Sequence, residues 1–218
     1  MPEMPMKDIR KCAINGANNY LFINVKFMGC DIHAYAEKLE KNGKWKMIHD
    51  FPNSNYRENS EYSWEKYPTT EELYDERDYE FFSLLADVRN HDNIVPISQS
   101  KGIPEDIGKE VGKIIKEWGE DGHSHSYFTL EELKGIPKDI ISQEIFDNSL
   151  ILGKDEDGNI TEVCRGTNGK HLGAVGKRKL FSTFKDEKNP LFEIIEKLES
   201  KKGKLKDDEI RMVFFFDN

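Results

Sequence analysis

An antiparallel sheet is indicated first by the stretch Cys30-Asp31-Ile32-His33-Ala34-Tyr35-Ala36-Glu37-Lys38. Alternate residues share a face in a β-strand, and this stretch alternates between polar or aromatic side chains and small apolar ones. The polar and aromatic face carries Asp31, His33, Tyr35 and Glu37. Asn42-Gly43 follows, the strongest short hairpin signal, so residues 44–49 are predicted to form the antiparallel partner strand.

The rest of the chain alternates helix and strand signals. Helices are predicted over residues 78–89 and 102–118. A third helix is predicted to begin at the capping-box pattern of Thr129, and a fourth to run from Asn189-Pro190 to residue 200. A second hairpin is predicted from 150–154 and 160–165 about Asp157-Gly158, and a last apolar strand over 210–216. Because hairpins force antiparallel pairing, we expect an α+β fold with a mixed, mostly antiparallel sheet and helices packed on one face.

The first 27 residues differ in character from the remainder. Residues 1–6 resemble a tail, and residues 20–27 are typical of a β-strand. We therefore predict an N-terminal extension over 1–27 and a single α+β domain over 28–218. Two interpretations of the extension stay open: a segment that docks on the domain, or an upstream misreading of the gene, since Met28 could itself be the start.

Composition excludes several classes of protein. The formal net charge is −9, which disfavours binding to the phosphate backbone of duplex nucleic acid. It still allows a local basic pocket for one small nucleotide, and it fits a protein partner with a basic surface. The cysteines, Cys12, Cys30 and Cys164, are scattered and odd in number, which fits a reducing cytoplasm rather than a disulfide framework. No apolar run is long enough for a transmembrane helix, so no membrane partner is expected.

Two short motifs carry the most definite chemistry. Asp31-Ile32-His33 and Asp121-Gly122-His123-Ser124-His125-Ser126 both fall in predicted strands, where residues two apart point the same way. Asp31 and His33 would share one face, and His123 and His125 another. Imidazole nitrogens and a carboxylate are ligands that zinc and similar divalent ions such as manganese accept. One hypothesis is therefore a metal site of Asp31, His33, His123 and His125, which are also the candidate catalytic residues.

The same residues allow chemistry without a metal. A histidine could act as a general base oriented by Asp31, with Ser124 or Ser126 as a nucleophile or binding hydroxyl. Cys30 is a weaker candidate nucleophile because it faces away from Asp31. The histidines could also be purely structural, bonded to the main chain in a buried polar network.

Substrate binding is predicted for residues outside the two motifs as well. Arg89, at the end of a predicted helix, and Lys170, in a glycine- and lysine-rich stretch, would lie near a phosphate. Ser124 and Tyr35 complete the predicted set of substrate contacts.

Several motifs in fixed order resemble a known group of proteins. They are 28–33 (Met-Gly-Cys-Asp-Ile-His), 82–90, 102–106, 121–126 and the ending 213–218. Together they resemble small proteins carried by bacteriophages and prophages, a group without an established activity. The resemblance implies a phage or mobile-element origin and action in the host cytoplasm, and it transfers no catalytic residue. Accessory phage proteins often counter host defences, which is an association only.

Three functional hypotheses follow. The first is an intracellular phage-type accessory protein that is a metal-assisted hydrolase of a phosphoester, such as a nucleotide. The second is a non-catalytic counter-defence binder that sequesters a small signalling nucleotide or covers a host protein. The third is a structural component of the virion, which would form a stable homo-oligomer.

Overall fold

The computed structural model describes residues 29–53, 55–146, 150–154, 160–165, 177–183, 185 and 189–217. The predicted N-terminal extension, 1–27, lies outside the described residues. So do Lys170 and the predicted turn Asp157-Gly158.

The strands and helices are numbered here in chain order. The strands are β1 (Ile32–Leu39), β2 (Trp45–Ile48), β3 (Phe51–Pro52), β4 (Thr69–Thr70), β5 (His123–Thr129), β6 (Glu144–Phe146), β7 (Leu150–Lys154), β8 (Ile160–Arg165), β9 (Lys177–Lys179) and β10 (Ile210–Phe216). The helices are α1 (Tyr79–Ala86), α2 (Lys109–Trp118), α3 (Leu130–Lys134), α4 (Lys138–Ile141) and α5 (Pro190–Lys202). Within the described ranges, no helix has the length and apolar character needed to cross a membrane.

The largest sheet places the last strand of the chain in its interior. Its order is β2-β1-β10-β5, and all of its pairings are antiparallel. The predicted hairpins are present as β1–β2 and β7–β8. Helices combined with a mostly antiparallel sheet confirm the α+β prediction.

Both faces of this sheet are covered. Every residue of β10 is buried. On one face Phe215 packs with Val111 and Ile115 of α2. On the other face Phe214 and Phe216 join a larger core that includes α1 and α5. Helices therefore lie on two faces, whereas one was expected, because a strand with apolar side chains at consecutive positions leaves neither face for water.

Local capping signals mark several helix starts correctly. Thr129 and Glu132 form the predicted capping box of α3. The Asn189 side chain accepts a hydrogen bond from the Leu191 amide at the start of α5. Asp78 caps α1 in the same way. Each cap satisfies amide groups that a helix cannot bond internally, so these boundaries are set by short-range chemistry.

A buried ionic network lies at one end of the sheet. Glu37 is 0% exposed and accepts hydrogen bonds from Arg211 Nε at 2.9 Å and from the Gly108 amide at 2.9 Å. Arg211 also donates to Asp106 Oδ1 at 2.7 Å, and its guanidinium lies over the Trp45 ring, 3.9 Å from the centroid. A buried charge pair is tolerable when its hydrogen-bonding groups are satisfied in this way.

This network explains why α2 begins at Lys109 and not near Gly102, as the sequence predicts. Arg211 holds Asp106, and Glu37 holds Gly108, so the chain ahead of the helix is fixed against the sheet. Tertiary hydrogen bonds override the local helix signal of residues 102–106.

Gly108→Ala is expected to destabilise the protein. A Cβ atom at this position would lie 2.4 Å from Glu37 Oε1 and 2.8 Å from the Trp45 carbonyl oxygen. Since the Glu37 carboxylate is fully buried and bonded, the clash should cost about 1–3 kcal/mol of unfolding free energy, measured by urea denaturation.

Gly112→Ala, in the same helix, is the matched control. Its added Cβ atom meets only the Ile107 Cγ2 methyl group at 3.3 Å, with no backbone or carboxylate atom as close. Replacing glycine inside a helix should then raise stability, by up to about 1 kcal/mol. Equal stability of the two variants would show that the close approach at Gly108 has no energetic consequence.

Candidate functional site

Antiparallel pairing brings the starts of β1 and β5 beside the end of β10. His33 pairs with Phe215, and His123 pairs with Phe216. The two motifs are remote in sequence, and the structure places them at the same end of the sheet. We call this region the histidine end, formed by Asp31, His33, His123, Ser124, His125 and Asp217.

His33 lies between two carboxylates. Its Nδ1 is 2.9 Å from Glu72 Oε1, and its Nε2 is 3.7 Å from Asp217 Oδ2. The imidazole packs against Trp118, with ring centroids 4.3 Å apart, and stacks on Phe215 at 5.0 Å. Only 16% of the side chain is exposed. The ring is thus fixed by aromatic groups while each nitrogen faces an acidic oxygen.

Glu72 is a site residue that the sequence prediction missed. Its Oε1 accepts hydrogen bonds from the Tyr35 hydroxyl at 3.1 Å and, with the proton on Nδ1, from His33. The Leu73 amide donates to the Ala34 carbonyl at 2.7 Å, which ties this segment to β1. Burial, followed by the charge of Glu72, raises the pKa of Tyr35, so its hydroxyl remains a donor.

Asp31 does not orient a histidine directly. Its carboxylate forms a bidentate ion pair with Arg77, with both N–O distances 2.6 Å, and the hydrogen bond from Arg77 holds its pKa below the usual range. The Asp31 amide donates to Asp217 Oδ1 at 3.0 Å, and the Asp217 amide donates to the Asp31 carbonyl at 3.1 Å. Asp31 therefore positions Asp217, which in turn faces His33.

His123 and His125 do not share a face, contrary to the prediction. Ser124 has a φ of 51°, and the register of β5 against β10 shifts at this point, which marks a β-bulge. The His123 ring stacks on Phe216 at 6.1 Å, and the His125 ring stacks on Phe215 at 5.4 Å. Neighbouring residues of β10 point to opposite faces, so the bulge separates the two histidines.

Phe215 lies between His33 and His125. Its ring centroid is 5.0 Å from that of His33 and 5.4 Å from that of His125. A metal shared by the two would have to lie about 2.0–2.1 Å from a nitrogen of each imidazole, with the Phe215 ring between them. Within the described ranges, no group of three or more His, Cys, Asp or Glu side chains could hold a metal ion. The zinc or manganese site of Asp31, His33, His123 and His125 gains no support from this geometry and stays a prediction.

Unpartnered imidazole nitrogens are concentrated at the histidine end. Among the described residues, the buried side-chain polar atoms without a hydrogen-bond partner are the Nε2 atoms of His33, His123 and His125 and the Tyr74 hydroxyl. A buried polar atom without a partner costs about 1–3 kcal/mol. His33 Nε2 still faces Asp217 Oδ2 at 3.7 Å, whereas no ion pair with a described residue compensates the Nε2 atoms of His123 and His125. Buried polar atoms of this kind call for an explanation, and a ligand or a proton transfer is one.

The environments of two of these histidines push their pKa values apart. Burial alone would lower the pKa of His33, but Glu72 and Asp217 outweigh it, and the pKa is raised. Burial, then the nearby His123, lowers the pKa of His125. His33 therefore favours the protonated form and His125 the neutral form.

The other predicted residues lie nearby or outside the described ranges. Arg89 hydrogen-bonds Cys30, whose thiol pKa is nevertheless raised, chiefly by burial, so a thiolate nucleophile is disfavoured. Ser124 Oγ is 3.0 Å from His123 Nδ1. Ser126 is buried and accepts a hydrogen bond from the Lys101 amide at 3.2 Å. Lys170 lies outside the described residues.

The chain was also compared with known proteins. No protein-family profile, curated protein or solved structure matches it. The resemblance to phage proteins thus stays a prediction from motifs, and the function has to be argued from the geometry of the site.

We expect the imidazole of His33 to titrate above, and that of His125 below, the ordinary pKa of about 6.5, as measured by NMR of the ring carbons. The groups that face His33 are Glu72, Asp217 and, more weakly, Asp31. Folding raises the pKa of His33, so the stability that its charge contributes is complete below about pH 6.5 and is lost as the pH rises through the raised value.

Glu72→Gln should lower the pKa of His33, because it removes the nearest negative charge. Glu71→Gln is the matched control, since Glu71 is exposed and pairs with His49 at 3.4 Å. A pKa of His33 that does not respond to Glu72→Gln, or responds equally to both variants, would contradict this electrostatic account.

Proposed function

We propose that the histidine end binds a small nucleotide and hydrolyses a phosphoester by acid–base chemistry of its own side chains. The observation that supports this most directly is the set of three buried imidazole nitrogens at one end of the sheet that form no hydrogen bond with the described residues. A catalytic role is one of the explanations for such groups in a folded protein.

The acid and base roles follow from the two environments. A pair of titratable groups with pKa values pushed in opposite directions supplies an acid and a base at the same pH. His125, neutral, would take a proton from water as the water oxygen bonds to phosphorus. The ester P–O bond breaks, and protonated His33 would give its proton to the leaving oxygen. Exchange of protons with solvent then restores both histidines.

Cationic groups for a phosphate lie at the same end of the sheet. Arg77 pairs with Asp31, and Arg89 lies beside Cys30 at the start of β1. Arginine suits the planar, bidentate recognition of phosphate oxygens. Arg77 is 52% exposed, so it can exchange its contact with Asp31 for one with a ligand at low cost.

Binding without turnover is a second candidate, and burial favours it. Trp118 covers His33, and a Cβ atom placed on Gly122 would lie 3.3 Å from Phe215 and 3.6 Å from His125 Nε2. The segment from Trp118 to Gly122 thus closes over the ring edges, as expected of a site that retains a ligand. A phage-type accessory role in the host cytoplasm is compatible with either activity and comes from the motif resemblance alone.

The test is incubation of the protein with linear and cyclic nucleotides, with and without a metal chelator, followed by chromatography of the products. We expect hydrolysis that persists in the chelator. His33→Gln and His125→Gln should each lower kcat by about 100-fold or more, the usual contribution of a general acid or base. The pH profile should fall below the pKa of His125 and above that of His33.

His49→Gln is the matched control because His49 is half-exposed and lies outside the site. It should leave the rate unchanged. Full activity in the His33 and His125 variants would overturn the proposal, and loss of activity in the chelator would point back to a metal. Recovery of intact nucleotide after denaturation, with no product, would establish binding without hydrolysis.

A further inference from the structure

A shallow cleft, open to solvent, lies at the opposite end of β1 from His33. It runs between the β1–β2 turn and the C-terminal end of α5, with a volume of about 520 Å³. The lining residues are Lys38, Leu39, Glu40, Lys41, Asn42, Lys201, Lys202 and Leu205. A cleft of this size is within the range of small-molecule sites.

The charge of this cleft contrasts with that of the whole chain. The chain has a net charge of −9, whereas the cleft is lined by four lysines and one glutamate. Lys201 donates to the Asp50 carbonyl at 2.9 Å, and Lys202 to Asp207 at 2.5 Å. Both lie in the last turn of α5, where cations complement the helix dipole. The fold therefore accounts for these two lysines.

The fold does not account for Lys38 and Lys41 in the same way. Neither side chain forms an ion pair or hydrogen bond with any described residue. Lys38 is also directly opposite Lys46 in the β1–β2 register, and like charges in such a pair are unfavourable. An anion in the cleft would relieve this repulsion.

We propose that this cleft binds a nucleoside polyphosphate. Lysine is a point-charge ligand for phosphate oxygens, and Lys38 and Lys41 are available for the phosphates. Leu39 and Leu205 are half-exposed and give the cleft an apolar wall for the base or sugar. A bare inorganic anion would leave that wall unused.

This site is independent of the proposed phosphoester hydrolysis. Five residue steps along β1 separate His33 from Lys38, or about 17 Å at the rise of a β-strand. A ligand in the cleft therefore does not reach the histidine end. Such a ligand would act as an effector or as part of a second substrate. Its binding can be measured in the absence of any activity.

The test is titration calorimetry with ATP as the probe, at low and moderate salt. Lys38→Gln combined with Lys41→Gln should weaken ATP binding by about ten-fold or more, the size expected for loss of a charge-assisted hydrogen bond. Lys113→Gln with Lys116→Gln is the matched control, since both lysines are exposed on the half of α2 that ends at Trp118 beside His33, and the change in net charge is the same. It should weaken binding by less than about two-fold, because exposed charges farther away than a Debye length are screened.

Equal weakening in both double variants would overturn the proposal, since only net charge would then matter. Absence of ATP binding to the native protein would overturn it as well. If tripolyphosphate binds as tightly as ATP, the nucleoside contributes nothing to affinity. That result would contradict the proposal that the ligand is a nucleoside polyphosphate. Retention of ATP binding in His33→Gln supports the assignment to the cleft, and its loss there would place the ligand at the histidine end instead.

Discussion

Pairing of β10 with β1 on one side and β5 on the other is the constraint on which the rest of the structure depends. β10 comes from the end of the chain and lies in the sheet interior, so β1 and β5 meet only through it. Its consecutive phenylalanines, Phe214, Phe215 and Phe216, fill both cores. The hydrophobic burial that stabilises the fold thereby also fixes which polar groups meet at each end of the strand.

Among the described residues, buried polar groups are hydrogen-bonded at one end of β10 and lack hydrogen bonds at the other. At the start, Arg211 is bonded to Glu37 and Asp106, and the Gly108 amide completes the shell of the glutamate. Near the other end, buried imidazole nitrogens beside Phe215 and Phe216 form no hydrogen bond with the described residues. A satisfied network positions chain segments, whereas an unsatisfied one is kept at a cost to stability. Because of this contrast, we propose a structural role for the network around Arg211 and a functional role for the histidine end.

Strong local signals in the sequence predicted much of the fold. Asn42-Gly43 set the first hairpin, and the Thr129 capping box set the start of α3, because both depend on residues close in the chain. The features that could not be predicted are long-range or conformational. Glu72 reaches His33 from a long connection with no periodic pattern, and the bulge at Ser124 depends on register against β10. Alternate residues stop sharing a face wherever a bulge adds a residue to a strand.

The pattern of charges is why we propose proton transfer, and not a bound metal, as the chemistry of the histidine end. Asp31 is neutralised by Arg77, and Glu72 is bonded to both Tyr35 and His33. A further cation would therefore have to compete with these partners for the carboxylate oxygens. Among the described residues of this end, the buried side-chain atoms without a hydrogen bond are imidazole nitrogens, which gain or lose a proton near neutral pH. Proton transfer is therefore the chemistry that we propose for this arrangement of residues.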